Sequence, residues 1–291
     1  MSVFISSSLY PNTSIDYAIS ESLSHFGKNI EISAPHNFEE NYILKETLLK
    51  FKNKKVNFIL HNYFPRPRED FVLNISTSNK NILKKVNEHI KNAIDLSHFV
   101  GSNIYGIHAG YLADSEANNE GTFVFKNNKN SYNVAIQNSI SLLNKVSEYG
   151  NKKNVKILVE NLFPFNNINN SLFSTFSQIK DFMKEAPKEI GILIDLGHLQ
   201  ISSKFYGFSV EKELDNILNL YSERIYEVHL SENDCINDLH KSLDKKSWQI
   251  NALKKIKNCS TESGIERKYC LEVRNETTLN VSKSLQILNN L

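Results

Sequence analysis

The chain has 291 residues, of which 40% are hydrophobic and 23% are charged, a composition typical of a globular protein. Its formal net charge of +2 gives no general electrostatic attraction to nucleic acid, although a local basic patch remains compatible with that balance. No run of about 18 apolar residues occurs, so no membrane-spanning helix is expected, and three cysteines without CxxC spacing favour a reducing, cytoplasmic compartment.

Eight short apolar runs have the character of strands buried on both faces. In chain order they cover residues 3–7, 29–33, 56–60, 104–107, 156–159, 191–194, 225–228 and 269–271. Between them, apolar residues recur at helical spacing, most clearly Ile82, Val86, Ile90 and Ile94. Helices are predicted over residues 81–100, 134–149, 173–185, 210–221, 246–258 and 278–291, with a further helical segment around His25.

Regular alternation of strands and helices predicts parallel strands joined by crossover helices. Eight such repeats in a chain of this length predict a single (β/α)8 TIM barrel, α/β in class, as one domain over residues 1–291. The Asn- and Lys-rich stretch 118–130 is predicted to be a solvated loop inserted after the fourth strand.

Residues with metal-binding side chains stand where the apolar runs stop, or in the loops just beyond. They are His61, His108, Glu160, Asp195, His198, His229, Asp238, His240 and Glu272. In a barrel these positions converge on one mouth, and so many ionisable groups need cations to compensate their charge. Mixed imidazole and carboxylate ligands favour Zn²⁺, Mn²⁺ or Fe²⁺ over Mg²⁺ or Ca²⁺. The sequence therefore predicts a metal enzyme.

Four other histidines do not fit this pattern. His89 and His98 fall within or at the end of the helix predicted over 81–100, and His25 lies in the first helical segment, so all three are interpreted as surface or packing residues. His36 follows the second strand and is an additional candidate for the mouth.

The motifs around these residues resemble those of the xylose isomerase-like TIM barrel superfamily. Within it they are similar to the family 2 AP endonucleases typified by endonuclease IV, and to the sugar phosphate isomerases and epimerases. The motifs are Glu160-Asn161, Asp195-Leu196-Gly197-His198, His229-Leu230-Ser231, Asp238-Leu239-His240 and Glu272.

The resemblance to endonuclease IV implies two to three zinc ions. Glu160 would bridge two ions, with His61 and His108 completing the first ligand set. Asp195, His229 and Glu272 would complete the second set, and His198, Asp238 and His240 would hold a third ion. Such ions bind a phosphate, activate water and stabilise the leaving oxygen.

The chain departs from the endonuclease pattern in several places. His108-Ala109-Gly110 replaces His-Pro-Gly, and Glu272-Val273-Arg274 replaces Glu-Thr-Pro. An extra segment after the third strand carries Tyr63, Phe64, Arg66 and Arg68. These four side chains would either wedge into a DNA duplex or close over a small phosphate.

Three functions remain open at this stage. The first is hydrolysis of a phosphoester such as abasic DNA. The second is isomerisation or epimerisation of a sugar or sugar phosphate with one metal held by Glu160, Asp195, His229 and Glu272. In that chemistry Glu160 and Glu272 act as acid and base beside a carbonyl, and His198 binds the substrate oxygen. The third is a non-catalytic barrel.

The remaining candidates are substrate-binding residues. Arg274 shares the strand parity of Glu272 and is placed to bind an anion, as are Arg66 and Arg68. Asn161 directly follows Glu160 and is expected to orient a ligand or to contact the substrate.

Overall fold

A computed structural model describes residues 2–117, 123–261 and 265–291. Eight parallel strands close a barrel in which the spatial order follows the chain, and the last strand pairs with the first through Tyr269 and Val3. The strands of the barrel are β1 (Val3–Ser6), β2 (Asn29–Ile32), β3 (Asn57–His61), β4 (Ile104–His108), β7 (Lys156–Glu160), β8 (Gly191–Asp195), β9 (Ile225–Leu230) and β10 (Lys268–Leu271).

Helices between the strands cover the outside of the barrel. They are α1 (Ile15–His25), α2 (Asn41–Lys52), α3 (Lys80–Val100), α4 (Tyr132–Lys152), α5 (Phe176–Glu185), α6 (Leu196–Tyr206), α7 (Val210–Tyr221), α8 (Trp248–Lys257) and α9 (Thr278–Asn289). Several begin where a Ser or Thr side chain accepts a hydrogen bond from an amide of the first turn, as Ser131 does for α4 and Thr277 for α9. None of the helices in the described part of the chain is long and apolar enough to cross a bilayer.

Strand alternation divides the apolar residues into two layers. Alternate residues such as Ile5, Leu60 and Val159 pack against the helices in the large outer core. Phe4, Ile59, Ile104, Leu158 and Leu193 belong with Tyr226 and Cys270 to a separate buried cluster. This inner cluster fills the barrel and leaves the carboxyl ends of the strands to form the mouth.

The predicted TIM barrel and its eight strands are confirmed, and the strand ends differ from the prediction by one or two residues. Helices α2 and α6 were not predicted. The helix predicted from residue 173 starts at Phe176, because Phe173 has a left-handed φ of 65° and Thr175 caps the first turn.

The predicted loop at 118–130 is wrong in part. Strands β5 (Ser115–Ala117) and β6 (Phe123–Phe125) pair in an antiparallel hairpin at the barrel mouth, with Ser115 opposite Phe125. Residues 118–122 lie outside the described residues. A salt bridge of 2.6 Å from Lys126 Nζ to Glu116 Oε1 ties the two sides of the hairpin together.

Candidate metal centre and active site

The barrel brings all nine candidate metal ligands to its mouth. His61, His108, Glu160 and Asp195 are the last residues of β3, β4, β7 and β8, and Glu272 directly follows β10. The other four are His229 near the end of β9, His198 in the first turn of α6, and Asp238 and His240 in the loop after β9.

Four of these residues form the centre of the site. Ligand atoms of Glu160, Asp195, His229 and Glu272 all lie within 4.8 Å of one another, and the four side chains are buried. His229 Nδ1 is 3.0 Å from Glu272 Oε2, 3.8 Å from Glu160 Oε1 and 3.9 Å from Asp195 Oδ2. Three carboxylates thus surround one imidazole nitrogen.

Carboxylate oxygens in this centre have no hydrogen-bond partner. Both oxygens of Glu160 and Oδ2 of Asp195 are buried without a hydrogen-bond partner. Desolvation of a charged oxygen without a hydrogen bond is costly. A divalent cation removes that cost, so the donor set fits a metal ion.

A second set of possible ligands shares Glu160. The Nε2 atoms of His61 and His108 each lie 3.4 Å from Glu160 Oε2, and the three residues have ligand atoms within 4.8 Å of one another. Burial lowers the pKa of His61 to about 4 and holds the pKa of His108 well below its usual range. Both rings are therefore neutral at pH 7, as metal binding requires.

The third predicted set is arranged less compactly. Asp238 Oδ2 lies 2.6 Å from His240 Nε2 and 3.4 Å from His198 Nε2. Among the described residues, His198, Asp238 and His240 do not form a trio of ligand atoms within 4.8 Å of one another. Asp238 thus lies between the two imidazoles. The other nitrogen of His198, Nδ1, lies 3.3 Å from Glu160 Oε1.

Local structure fixes the orientation of several of these side chains. Asp195 caps α6 by accepting a hydrogen bond of 2.7 Å from the His198 amide. Asn161 holds the end of β8, because its side chain donates to the carbonyl of Asp195 and accepts from its amide. The Nδ1 atom of His198 is 2.9 Å from the Asn161 carbonyl, and that of His240 is 3.1 Å from the Glu272 carbonyl. Donation through Nδ1–H leaves Nε2 of each ring facing the mouth.

The two glutamates of the centre have different environments. Desolvation raises the pKa of Glu160 well above its usual range. Desolvation also opposes ionisation of Glu272, but the charges of His240, His229 and Arg274 outweigh it and hold the pKa of Glu272 well below its usual range. Carboxyl groups whose environments push their pKa values apart are typical of an acid–base pair.

The centre opens into a cavity of about 980 Å³. One wall is aromatic, with Tyr111, Phe163 and Phe165 in contact with the space above the histidines. A pocket of this size, apolar on one side and polar at its base, suits a small substrate or a substrate with an attached group.

The four predicted substrate-binding residues occupy different environments. Arg274 lines the cavity, its Nη2 atom is 3.4 Å from Glu272 Oε1, and its Nε atom is buried without a partner. Arg66 also lines the cavity but pairs with Asp70. Arg68 is not among the described residues that line the cavity; it is mostly exposed and contacts Glu40. The side chain of Asn161 is engaged by Asp195, as described above.

The segment after β3 packs onto its own barrel. Phe64 is buried, and Tyr63 stacks on His89 at 5.4 Å while accepting a hydrogen bond from the Phe71 amide. These two aromatic side chains therefore belong to the packing of this loop.

His36 is buried beside Ser7, with its Nε2 atom 2.8 Å from Ser7 Oγ.

Two carboxylates below the mouth were missed by the sequence reasoning. Glu31 in β2 and Glu227 in β9 are completely buried, and they lie 2.8 and 3.5 Å from His229 Nε2. Both stand within a strand and not at its end. An isolated charge in an apolar run, as in Asn29–Ile32, is the signal that could have identified them.

Comparisons with known proteins place this geometry in context. No curated protein sequence matches the chain. The structure is similar to a D-tagatose 3-epimerase-like protein, with 20% identity, a TM-score of 0.75, and coverage of 100% of this chain and 96% of that chain. It is also similar to the D-psicose 3-epimerase of Clostridium cellulolyticum H10, with 12% identity, a TM-score of 0.67 and coverage of 100% and 98%.

An L-ribulose 3-epimerase shares the fold as well, with 15% identity, a TM-score of 0.62, and coverage of 98% of this chain and 86% of that chain. At these identities the likeness shows a common fold. The family model described as xylose isomerase-like TIM barrel matches residues 28–257. This range includes six of the eight barrel strands, all except β1 and β10, and eight of the nine candidate ligands, all except Glu272. The chain therefore belongs to the xylose isomerase-like TIM barrel family.

Proposed function

We propose that this protein is a divalent-metal-dependent isomerase or epimerase of a sugar or sugar phosphate. The observation that carries the proposal is the compact set of Glu160, Asp195, His229 and Glu272, which offers three carboxylates and one imidazole to a single ion. The structural neighbours include a D-tagatose 3-epimerase-like protein, a D-psicose 3-epimerase and an L-ribulose 3-epimerase, and these names support the same chemistry.

The four residues would hold one Mn²⁺, Zn²⁺ or Fe²⁺ ion, since these ions accept mixed nitrogen and oxygen ligands. When bound, the ion would act as a Lewis acid toward the oxygens of a carbonyl and its neighbouring hydroxyl group. A carboxylate has two oxygens, so Glu160 and Glu272 can each bind the ion with one oxygen and present the other to the cavity.

Glu160 and Glu272 are the proposed acid–base pair. Glu160 ends β7 and Glu272 directly follows β10. These two strands are separated around the barrel by β8 and β9, so the two carboxyl groups approach the cavity base from different sides. One removes the proton from the carbon beside the carbonyl, and the other returns a proton. His198, with Nε2 facing the mouth, is proposed to bind a substrate oxygen.

Arg274 is the proposed contact for the anionic or hydroxyl end of the substrate. Its unpaired, buried Nε atom and its position beside Glu272 leave it free to donate to an oxygen near the reacting carbon. A phosphate group would bind there in bidentate fashion.

Phosphoester hydrolysis is the second candidate, and one observation favours it. His61, His108 and Glu160 form a set next to the central one, which would hold a second ion. Two ions sharing a carboxylate can clamp a phosphate during in-line displacement. The packed loop after β3, whose aromatic side chains are used internally, argues against the duplex wedge that an abasic-DNA substrate would need.

The two candidates make different demands on His240, which belongs to the third ligand set that the resemblance to endonuclease IV implies and not to the central set. We would assay the wild type and His240→Ala on a panel of ketoses and ketose phosphates, and on a duplex with an abasic site. Epimerisation or isomerisation that survives in His240→Ala supports the proposal, because the one-ion set does not include His240. Cleavage of the duplex that His240→Ala abolishes would establish the hydrolase instead.

A further inference from the structure

Four buried side chains meet inside the barrel below the mouth: Glu31, His61, Glu227 and His229, here called the inner polar cluster. Ile30 and Ile32 of β2 pack in the outer core, so strand alternation points Glu31 into the barrel. Glu31, Glu227 and His229 are completely buried and His61 is 3% exposed. Charged groups that are buried this deeply need a hydrogen-bond partner or an opposite charge.

Each imidazole of the inner polar cluster spans two layers of the barrel. His229 directs Nδ1 to Glu272 in the centre and Nε2 to Glu31, at 3.0 and 2.8 Å. His61 directs Nε2 to Glu160 at 3.4 Å, and its Nδ1 atom is buried without a partner. One nitrogen of each ring therefore faces the proposed metal ligands, and the other faces into the barrel.

The carboxylate of Glu31 lies close to both imidazole rings. Single ligand atoms of Glu31, His61 and His229 lie within 4.8 Å of one another. Neither oxygen of Glu31 has a hydrogen-bond partner, and the inward nitrogens His229 Nε2 and His61 Nδ1 also have none, so one oxygen is available to each ring. Gly106 keeps this space open, because a Cβ there would lie 3.1 Å from His61 Nδ1 and 2.7 Å from Leu193.

We propose that Glu31 is a positioning residue, which accepts the inward N–H groups of His229 and His61 and so directs their outward nitrogens at the metal. This rests on the metal ligand set of the proposed function. A neutral imidazole carries one N–H, and the group that accepts it decides which nitrogen keeps its lone pair for a metal. Fixing both rings through one carboxylate would couple the central set to the set of His61, His108 and Glu160.

Glu227 is the matched control for this role. It is as deeply buried as Glu31 and belongs to the same cluster, but its Oε1 atom is 3.5 Å from His229 Nε2, against 2.8 Å for Glu31. Its oxygens also have no hydrogen-bond partner. If metal binding depends on accepting the His229 N–H, replacing Glu31 should weaken it and replacing Glu227 should not. If it depends only on negative charge inside the barrel, replacing either residue should weaken it.

The test compares Glu31→Gln and Glu227→Gln with the wild type. Zn²⁺ affinity would be measured by competition with a chromophoric chelator, and the ring tautomers of the zinc-loaded protein by ¹⁵N NMR of labelled histidine. We expect Glu31→Gln to bind zinc about 10–100-fold more weakly, and Glu227→Gln to keep nearly the wild-type affinity. In the wild type, His229 should carry its proton on Nε2 and His61 on Nδ1.

Wild-type affinity in Glu31→Gln, an equal loss in both variants, or wild-type rings protonated on the outward nitrogens would overturn the proposal. Should Glu31→Gln fail to fold, Glu31→Asp keeps the charge but withdraws it by one methylene, and must also weaken zinc binding. A wild type that binds no zinc refutes this role together with the metal set. A wild type that binds zinc with the expected tautomers but converts no sugar refutes only the proposed function.

Discussion

Replacing Glu160 by Gln separates the metal-free stability of this protein from its stabilisation by metal. Glu160 is 1% exposed, and neither of its oxygens has a hydrogen-bond partner. Because burial raises the pKa of Glu160, the metal-free protein favours the neutral carboxyl, which Gln resembles in size and polarity. We therefore expect the metal-free variant to differ from the wild type by less than about 1 kcal/mol in unfolding free energy.

The metal-bound forms should differ much more. A metal at 100 times its dissociation constant stabilises the wild type by about 2.7 kcal/mol. A variant that binds 100-fold more weakly gains only about 0.4 kcal/mol at the same concentration. For a chain of this length the difference corresponds to a shift in Tm of roughly 4 °C.

The assay is thermal unfolding of both proteins, first with a chelator and then with Mn²⁺ or Zn²⁺. Glu232→Gln is a suitable control, since Glu232 is a partly buried glutamate just after β9 whose backbone pairs with Lys241. The control should keep the full metal-induced shift. A wild-type shift in Glu160→Gln would refute Glu160 as a ligand.

Two further predictions concern stability away from the metal. Burial lowers the pKa of His89 to about 4, whereas the unfolded chain titrates near 6.5, so protons favour unfolding and stability falls by up to about 3 kcal/mol between pH 6.5 and 4. Urea unfolding at pH 7 and 4.5 should show a shallower pH dependence for His89→Gln, and an unchanged dependence would contradict this reasoning. Gly150→Ala would place a Cβ 2.4 Å from the carbonyl oxygen of Val155, which cannot move aside as a side chain can. It should lower the unfolding free energy by at least about 1–3 kcal/mol, and denaturant unfolding at wild-type stability would show that the backbone relaxes.

The barrel was predictable because its strands are short, almost continuous apolar runs, which are typical of strands buried on both faces. The runs ending at His61 and Asp195 show this directly, since a polar residue follows several buried positions at the point where the strand reaches the mouth. The α2 helix was less visible, because Asn41–Lys52 places Leu44, Leu48 and Phe51 in the core but also exposes the apolar residues Tyr42, Ile43 and Leu49, which obscure the helical spacing.

The candidate site was predictable in composition but not in arrangement. Strand-end position identifies Glu160 and Glu272 as neighbours, yet it does not reveal that Glu31 approaches His229 from the opposite side. That contact depends on which face of β2 points inward and on the register around the barrel, which pairs Glu31 with Ile59 and Ser6. Similarly, the charges of Arg66 and Arg68 suggested anion binding, whereas their pairing with Asp70 and Glu40 depends on the loop's fold.

In the proposed function, the buried carboxylates at the mouth move a proton beside a carbonyl. The most direct measurement is deuterium incorporation from D₂O into a panel of ketoses and ketose phosphates, followed by NMR with the metal-loaded protein. We expect incorporation at the carbon beside the carbonyl for the wild type, and its loss in Glu160→Gln and Glu272→Gln. A metal-loaded wild type that exchanges no carbon-bound proton in any of these sugars, or exchange that persists in both variants, would contradict it.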